Sequence, residues 1–148
     1  MAGDSDTARI PLQVSQGCIV ASVQVDLRPD VLAGLQTDVL NLLRDSGARA
    51  VIIDLSGVQT IDPEEFEALR RTSDMARLMG ARSVMSGLNA GVVSSLVDLD
   101  VTTSDVEATR TLDAAFALVR SESDSLRQAP WIGYPTEELD AADGLGPE

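Results

Sequence analysis

Six residues able to do chemistry fall within twelve positions: Asp54, Ser56, Thr60, Asp62, Glu64 and Glu65, in the stretch DLSGVQTIDPEE. Carboxylates that bracket hydroxyls suit two kinds of chemistry. A hydroxyl can accept a phosphoryl group from a kinase, which places nearly two negative charges on one side chain. A pair of aspartates, Asp54 and Asp62, could instead hold a divalent metal for phosphoryl transfer. The second kind needs more than the sequence offers. There is no Lys, no Gly-rich phosphate loop and no His, which removes Ser-His and Cys-His catalysis and His-based zinc sites. The chain is therefore expected not to be an enzyme and to need no cofactor or metal, with an acidic metal-dependent enzyme on Asp54 and Asp62 as the alternative. Five of the six also have an ordinary structural use, Asp54 being the exception. Ser56 and Thr60 are turn formers, and Glu64 and Glu65 would complement a helix dipole at about 0.3–1 kcal/mol each.

Composition narrows the partners. With 24 acidic against 11 basic residues the formal net charge is −13, which repels nucleic acid and anionic membrane surfaces and favours a basic partner. Aromatics make up 3% of the chain, so there is no platform on which bases could stack. No apolar run approaches the roughly 20 residues that span a bilayer, and the opening MAGDSDTAR lacks the layout of a signal peptide. A cytoplasmic location is expected. The single Cys18 excludes an intramolecular disulfide, and its apolar surroundings predict a small core residue.

The elements that must position these residues are legible from periodicity. Residues 1–9 are polar and expected to be flexible; Ile10 to Val14 and Cys18 to Val25 read as a hairpin turning at Gly17. From Pro29, the residues Val31, Leu32, Leu35, Val39, Leu42 and Leu43 form one helical stripe that Gly47 should stop. Ala50 to Leu55 is a continuous apolar run, as a central strand covered on both faces requires. Asp62 is a fitting N-cap, Pro63 suits the first helical position and Glu65 completes a capping box. Phe66, Leu69, Ala76 and Met79 follow at helical spacing, Gly80 ends the helix and Ser83 to Gly87 returns as a strand. A further helix is predicted over Gly91 to Leu99, with Val92, Val93, Leu96 and Leu99 inward. The last is capped by Thr111 or Asp113 and buries Leu112, Ala115, Phe116 and Val119. One domain over residues 10–127 results, an α/β fold with a mixed sheet of about four or five strands and about four helices.

The order and spacing of four segments carry a resemblance. They are IPL at the start, LLRDSGARAVIIDLSGV, IDPEEFEALRRTSDMARLMGARSVMSGL and GVVSSLVDLDV. Together, over roughly Ile10 to Arg120, they resemble the STAS family of anti-sigma factor antagonists, most of all its short stressosome scaffolds of the RsbS type. The resemblance implies a bacterial stress or sigma-factor signalling module that assembles with STAS-domain paralogues and binds a serine/threonine switch kinase or anti-sigma kinase. The expected state is a homo- or hetero-oligomer. A stand-alone antagonist of a single anti-sigma kinase is the alternative. The family's phosphoacceptor serine falls on Pro63, which has no hydroxyl. If phosphorylation persists it must have moved, to Ser56 or Thr60 in the loop or to Ser95, on or near the second phosphorylation position of the sensor paralogues. Glu64 and Glu65 would then be either a fixed substitute for the phosphate charge or plain first-turn carboxylates.

Two other clusters fit a binding role. Arg70, Arg71 and Arg77 form the basic cluster of an acidic chain; they either pair with Glu64, Glu65, Glu67 and Asp74 along the helix or, with Asp62, Glu64 and Glu65, present a docking stripe. Residues 128–148 hold five carboxylates and no cation, and read as a flexible acidic tail in which Trp131, Ile132 and Tyr134 could anchor on a groove.

Overall fold

A computed structural model describes residues 8–128, with five strands and four helices among them. The hairpin forms β1 (Leu12–Ser15) and β2 (Cys18–Ser22), paired antiparallel. Its two-residue turn puts both Gln16 (φ 54°) and Gly17 (φ 74°) in the left-handed region, the geometry that matches the twist of paired strands. The other strands are β3 (Ala50–Asp54), β4 (Arg82–Ser86) and β5 (Ala108–Thr109), each parallel to its predecessor. The order across the sheet is β1-β2-β3-β4-β5.

Alternation along the strands sorts the side chains into two cores. Ile19, Ala21, Val51, Ile53 and Met85 face one side, where they meet α1 (Pro29–Ser46), α2 (Pro63–Leu78) and α3 (Ala90–Asp98). Cys18, Val20, Ala50, Ile52 and Val84 face the other and are covered by Ala115, Phe116 and Val119 of α4 (Leu112–Gln128). A strand covered on both faces has no solvated side, hence the unbroken Val-Ile-Ile run of β3. Burial pushes the Cys18 thiol pKa up, an effect that Arg49 and Arg120 offset only in part.

Most helix expectations agree with the structure. The α1 stripe is buried at Val31, Leu32, Leu35, Val39 and Leu43, and Gly47 closes the helix by donating to the Leu43 carbonyl at 3.0 Å. Two stripes are narrower than the periodicity predicts. Met79 is 48% exposed, because α2 stops at Leu78 and Met79 is already its C-cap. In α3 only Val92 and Leu96 are buried, while Val93 and Leu99 are 44% and 54% exposed. A nine-residue helix presents one i, i+4 pair to the core, and Leu99 lies past its end. Thr111, not Asp113, starts α4: its hydroxyl accepts the Ala114 N–H at 3.1 Å. No helix of the described residues is long and apolar enough to cross a membrane.

Candidate functional site

Because β2 to β5 run parallel, the chain leaves each at the same end of the sheet, and all four helices begin there. The loop from Leu55 to Asp62 is held at that end by its own buried residues, Leu55, Val58 and Ile61. Asp54 Oδ1 accepts the Ser56 N–H at 3.0 Å, and the Leu55 N–H donates to the Ser86 carbonyl at 2.8 Å. Asn89 fixes the far side of the loop. Its side-chain amide donates to the Val58 carbonyl at 2.9 Å while its Oδ1 caps α3 through the Val92 N–H at 2.8 Å. Gly87 lets β4 pass the loop so closely that a Cβ there would lie 2.9 Å from Ser56 backbone atoms. Neither residue stands out as a site residue in the sequence, although an Asn directly before an apolar helical stripe is a cap signal.

The capping box is complete. Asp62 Oδ1 accepts the Glu65 N–H at 2.7 Å and Glu65 Oε1 accepts the Asp62 N–H at 2.9 Å. Pro63 occupies the first helical position. Glu65 is thus committed to the backbone, whereas the neighbouring Glu64 is exposed and forms no ion pair with the described residues. Asp54 and Asp62 are likewise both in use as acceptors of backbone N–H groups. Among the described residues no group of three or more His, Cys, Asp or Glu is placed to hold a metal.

A groove of about 960 Å³ opens beside this helix start, between the first turns of α1, the first turns of α2 and residues 99–102. Its floor includes Leu32 and Ala68, and its walls carry Asp26, Asp62, Glu64, Glu65, Glu67 and Asp100 against Arg28, Arg70 and Arg71. The wall is acidic by six to three, and Arg70 is already paired with Glu67 at 3.4 Å and with Asp105 at 3.1 Å. Arg70 also donates to the Thr102 carbonyl at 3.2 Å, and Arg77 to the Asp105 carbonyl at 3.2 Å and to the Asp74 carboxylate. Two members of the expected basic stripe therefore strap the segment before β5 onto α2, leaving Arg71 exposed, with no ion pair to the described residues. Of the candidate hydroxyls, Ser56 and Thr60 are exposed on the loop, while Ser95 is half-buried along α3. Trp131, Ile132 and Tyr134 lie outside the described residues.

The strapped segment makes the fold acid-sensitive at one defined place. Glu107 bonds the Arg82 guanidinium, with Arg82 Nε donating to Oε1 at 2.8 Å, and this hydrogen bond holds the Glu107 carboxyl below its ordinary value of 4.5 against the opposing effect of desolvation. A carboxylate whose pKa is depressed on folding stabilises fully above its unfolded pKa and loses that contribution as pH falls through the folded one. Unfolding midpoints measured down a pH series should therefore fall below about pH 4.5, and Glu107→Gln should flatten part of that fall. A Glu107→Gln curve parallel to that of the parent chain would disprove the linkage.

The fold is an α/β domain that gathers a loop, a capped helix start and an acidic groove at the carboxyl end of a mostly parallel sheet. The STAS domain family model matches residues 9–115, and the chain belongs to this family. Similar solved structures include a variant of RsbS from Moorella thermoacetica, at 16% identity and a TM-score of 0.69, covering 79% of this chain and 99% of that one. A structure from the stressosome, described as a signal integration and transduction hub, matches at 16% identity and a TM-score of 0.68 over 76% and 98% of the two chains. A putative anti-sigma factor antagonist from Thermotoga maritima matches at 19% identity and 0.60 over 75% and 94%. No curated protein sequence matches the chain.

Proposed function

We propose that this protein is a non-enzymatic interaction module of bacterial stress or sigma-factor signalling, an RsbS-like scaffold that acts in the cytoplasm. It would bind STAS-domain paralogues and a switch kinase through the loop Ser56 to Pro63, the first turns of α2 and the acidic groove beside them. The observation that carries this reading is the helix start itself. Pro63 sits at the first position of a fully capped helix, where the family resemblance places the phosphoacceptor, with Glu64 exposed beside it. The likeness to RsbS and to a stressosome structure supports it at the level of fold. Commitment of both Asp54 and Asp62 to backbone amides supports binding rather than metal-dependent catalysis.

Glu64 supplies at most one negative charge, so it copies a phosphate only in part. Incubation with the cognate kinase and ATP, read by intact mass and site mapping, separates the outcomes. With retained kinase binding, an unmodified parent chain and a Pro63→Ser variant that gains one phosphate would establish a permanently set scaffold. A gain on Ser56, Thr60 or Ser95 of the parent would mean the switch has moved. Charge reversal in Glu64→Lys should weaken kinase binding by about tenfold or more, since a misplaced charge at an interface costs several kcal/mol. Unchanged affinity would remove this surface from the proposal. The likeness to an anti-sigma factor antagonist favours a second reading, a stand-alone antagonist. Light scattering of the chain mixed with a sensor paralogue discriminates: a large co-assembly fits the scaffold, a persistent monomer the antagonist.

A further inference from the structure

Beside the groove, α2, β4 and the segment leading into β5 form a small cavity lined by Arg70, Ser73, Arg77, Ser83, Asp105 and Glu107, with Met85 and Val106 as its apolar part. Three hydrogen-bonding atoms there, Arg70 Nε, Ser73 Oγ and Ser83 Oγ, are buried and have no partner among the described residues. Both serines are more than nine-tenths buried, at 7% and 6% exposure. A buried polar group left unsatisfied is costly, and three such groups around one cavity share a simple remedy. The room for the centre of a water-sized sphere is about 10 Å³, which matches one molecule bonded to about three polar partners.

The chemistry of the lining selects the occupant. Arg70 Nε–H can only donate, so the occupant must accept; each serine hydroxyl can donate or accept. Two guanidinium groups face two carboxylates, and the guanidinium of Arg70 is already paired with Asp105 and that of Arg77 with Asp74. A cavity with balanced charge disfavours an anion. We propose that it binds one ordered water molecule, which accepts a hydrogen bond from Arg70 Nε–H and bridges the hydroxyls of Ser73 and Ser83. Arg70 lines both this cavity and the groove. The water is then a further fixing point for a guanidinium that already holds Asp105 and the Thr102 carbonyl. Ser73 and Ser83 become positioning residues for one groove wall. None of this depends on the identity of the partner.

A high-resolution crystal structure of the full chain, grown with bromide, tests the site. The expected result is a peak within about 3.2 Å of all three atoms, with no anomalous bromide signal. A bromide peak, or no peak and hydroxyls turned onto neighbouring carbonyls, overturns the proposal. In solution, Ser73→Ala and Ser83→Ala should each lower the unfolding midpoint, and the double variant should lose less than the two single losses added together, because both hydroxyls hold the same molecule. Additive losses would overturn the shared water.

Discussion

Gly87→Ala is expected to lower the midpoint of thermal unfolding by about 10 °C, a loss of roughly 3 kcal/mol for a domain of this size. Two costs combine. Gly87 has φ 81°, in the left-handed region, where a Cβ costs about 1–2 kcal/mol. The new methyl would also stand 2.9 Å from Ser56 N, Cα and Cβ, and overpacking of this kind typically costs about 1–3 kcal/mol. The clash is with backbone, so no side-chain rotation relieves it. Gly87 further donates its N–H to the Thr109 carbonyl at 3.0 Å, so a shift of Gly87 away from Ser56 would strain its tie to β5, and a shift of the loop would strain the Leu55 bond to Ser86. Hydrogen exchange should quicken at residues 55–61, while the amides of α4, on the other face of the sheet, change only with the global loss. An unfolding midpoint within about 2 °C of the parent, with unchanged exchange in the loop, would show that the close approach does not exist.

Phe66→Ala should cost about 3–5 kcal/mol in denaturant unfolding, a large share of the 5–15 kcal/mol by which a domain is ordinarily stable. Phe66 is 1% exposed and is the largest fully buried side chain among the described residues. It occupies the helical position just after the capping box, and Ile61, just before the cap, belongs to the same core cluster. That pair brackets the cap as a hydrophobic staple does. Truncation leaves a cavity beneath the helix start, so both stability and the placement of Pro63 and Glu64 depend on this ring. Phe66→Leu should recover most of the loss, with a residual cost under about 1.5 kcal/mol. A Phe66→Ala cost below about 1 kcal/mol, within the range of an ordinary substitution, would place the ring outside the core.

Local signals and tertiary ones divide cleanly here. The capping box lies within four residues, the α1 stripe repeats every turn, and the β3 run is continuous; each is fixed by neighbours in the chain, so the sequence alone determined the start of α2, the extent of α1 and the central strand. It also determined the family, through the order of four short segments. β5 was not legible as a strand, because its two residues pair only with β4 and carry no periodicity of their own. The role of the arginines was half legible. Glu67 and Asp74 are three residues away along the helix, but Asp105 reaches Arg70 from 35 positions further on.

The same reason accounts for the rest of the site. The Asn89 bond to Val58 and the approach of Gly87 to Ser56 join segments that only the parallel pairing of β3 and β4 makes adjacent, and residues 105–107 reach the cavity at Ser73 and Ser83 through the pairing of β5 with β4. Exposure of Val93 and Leu99 was decided in the same way, by how much of a short helix the core had room to cover. Sequence periodicity specifies which face of an element is apolar. Which residues meet across elements is set by sheet order and register, and that is where the groove, its acidic wall and the strapped segment beside it come from.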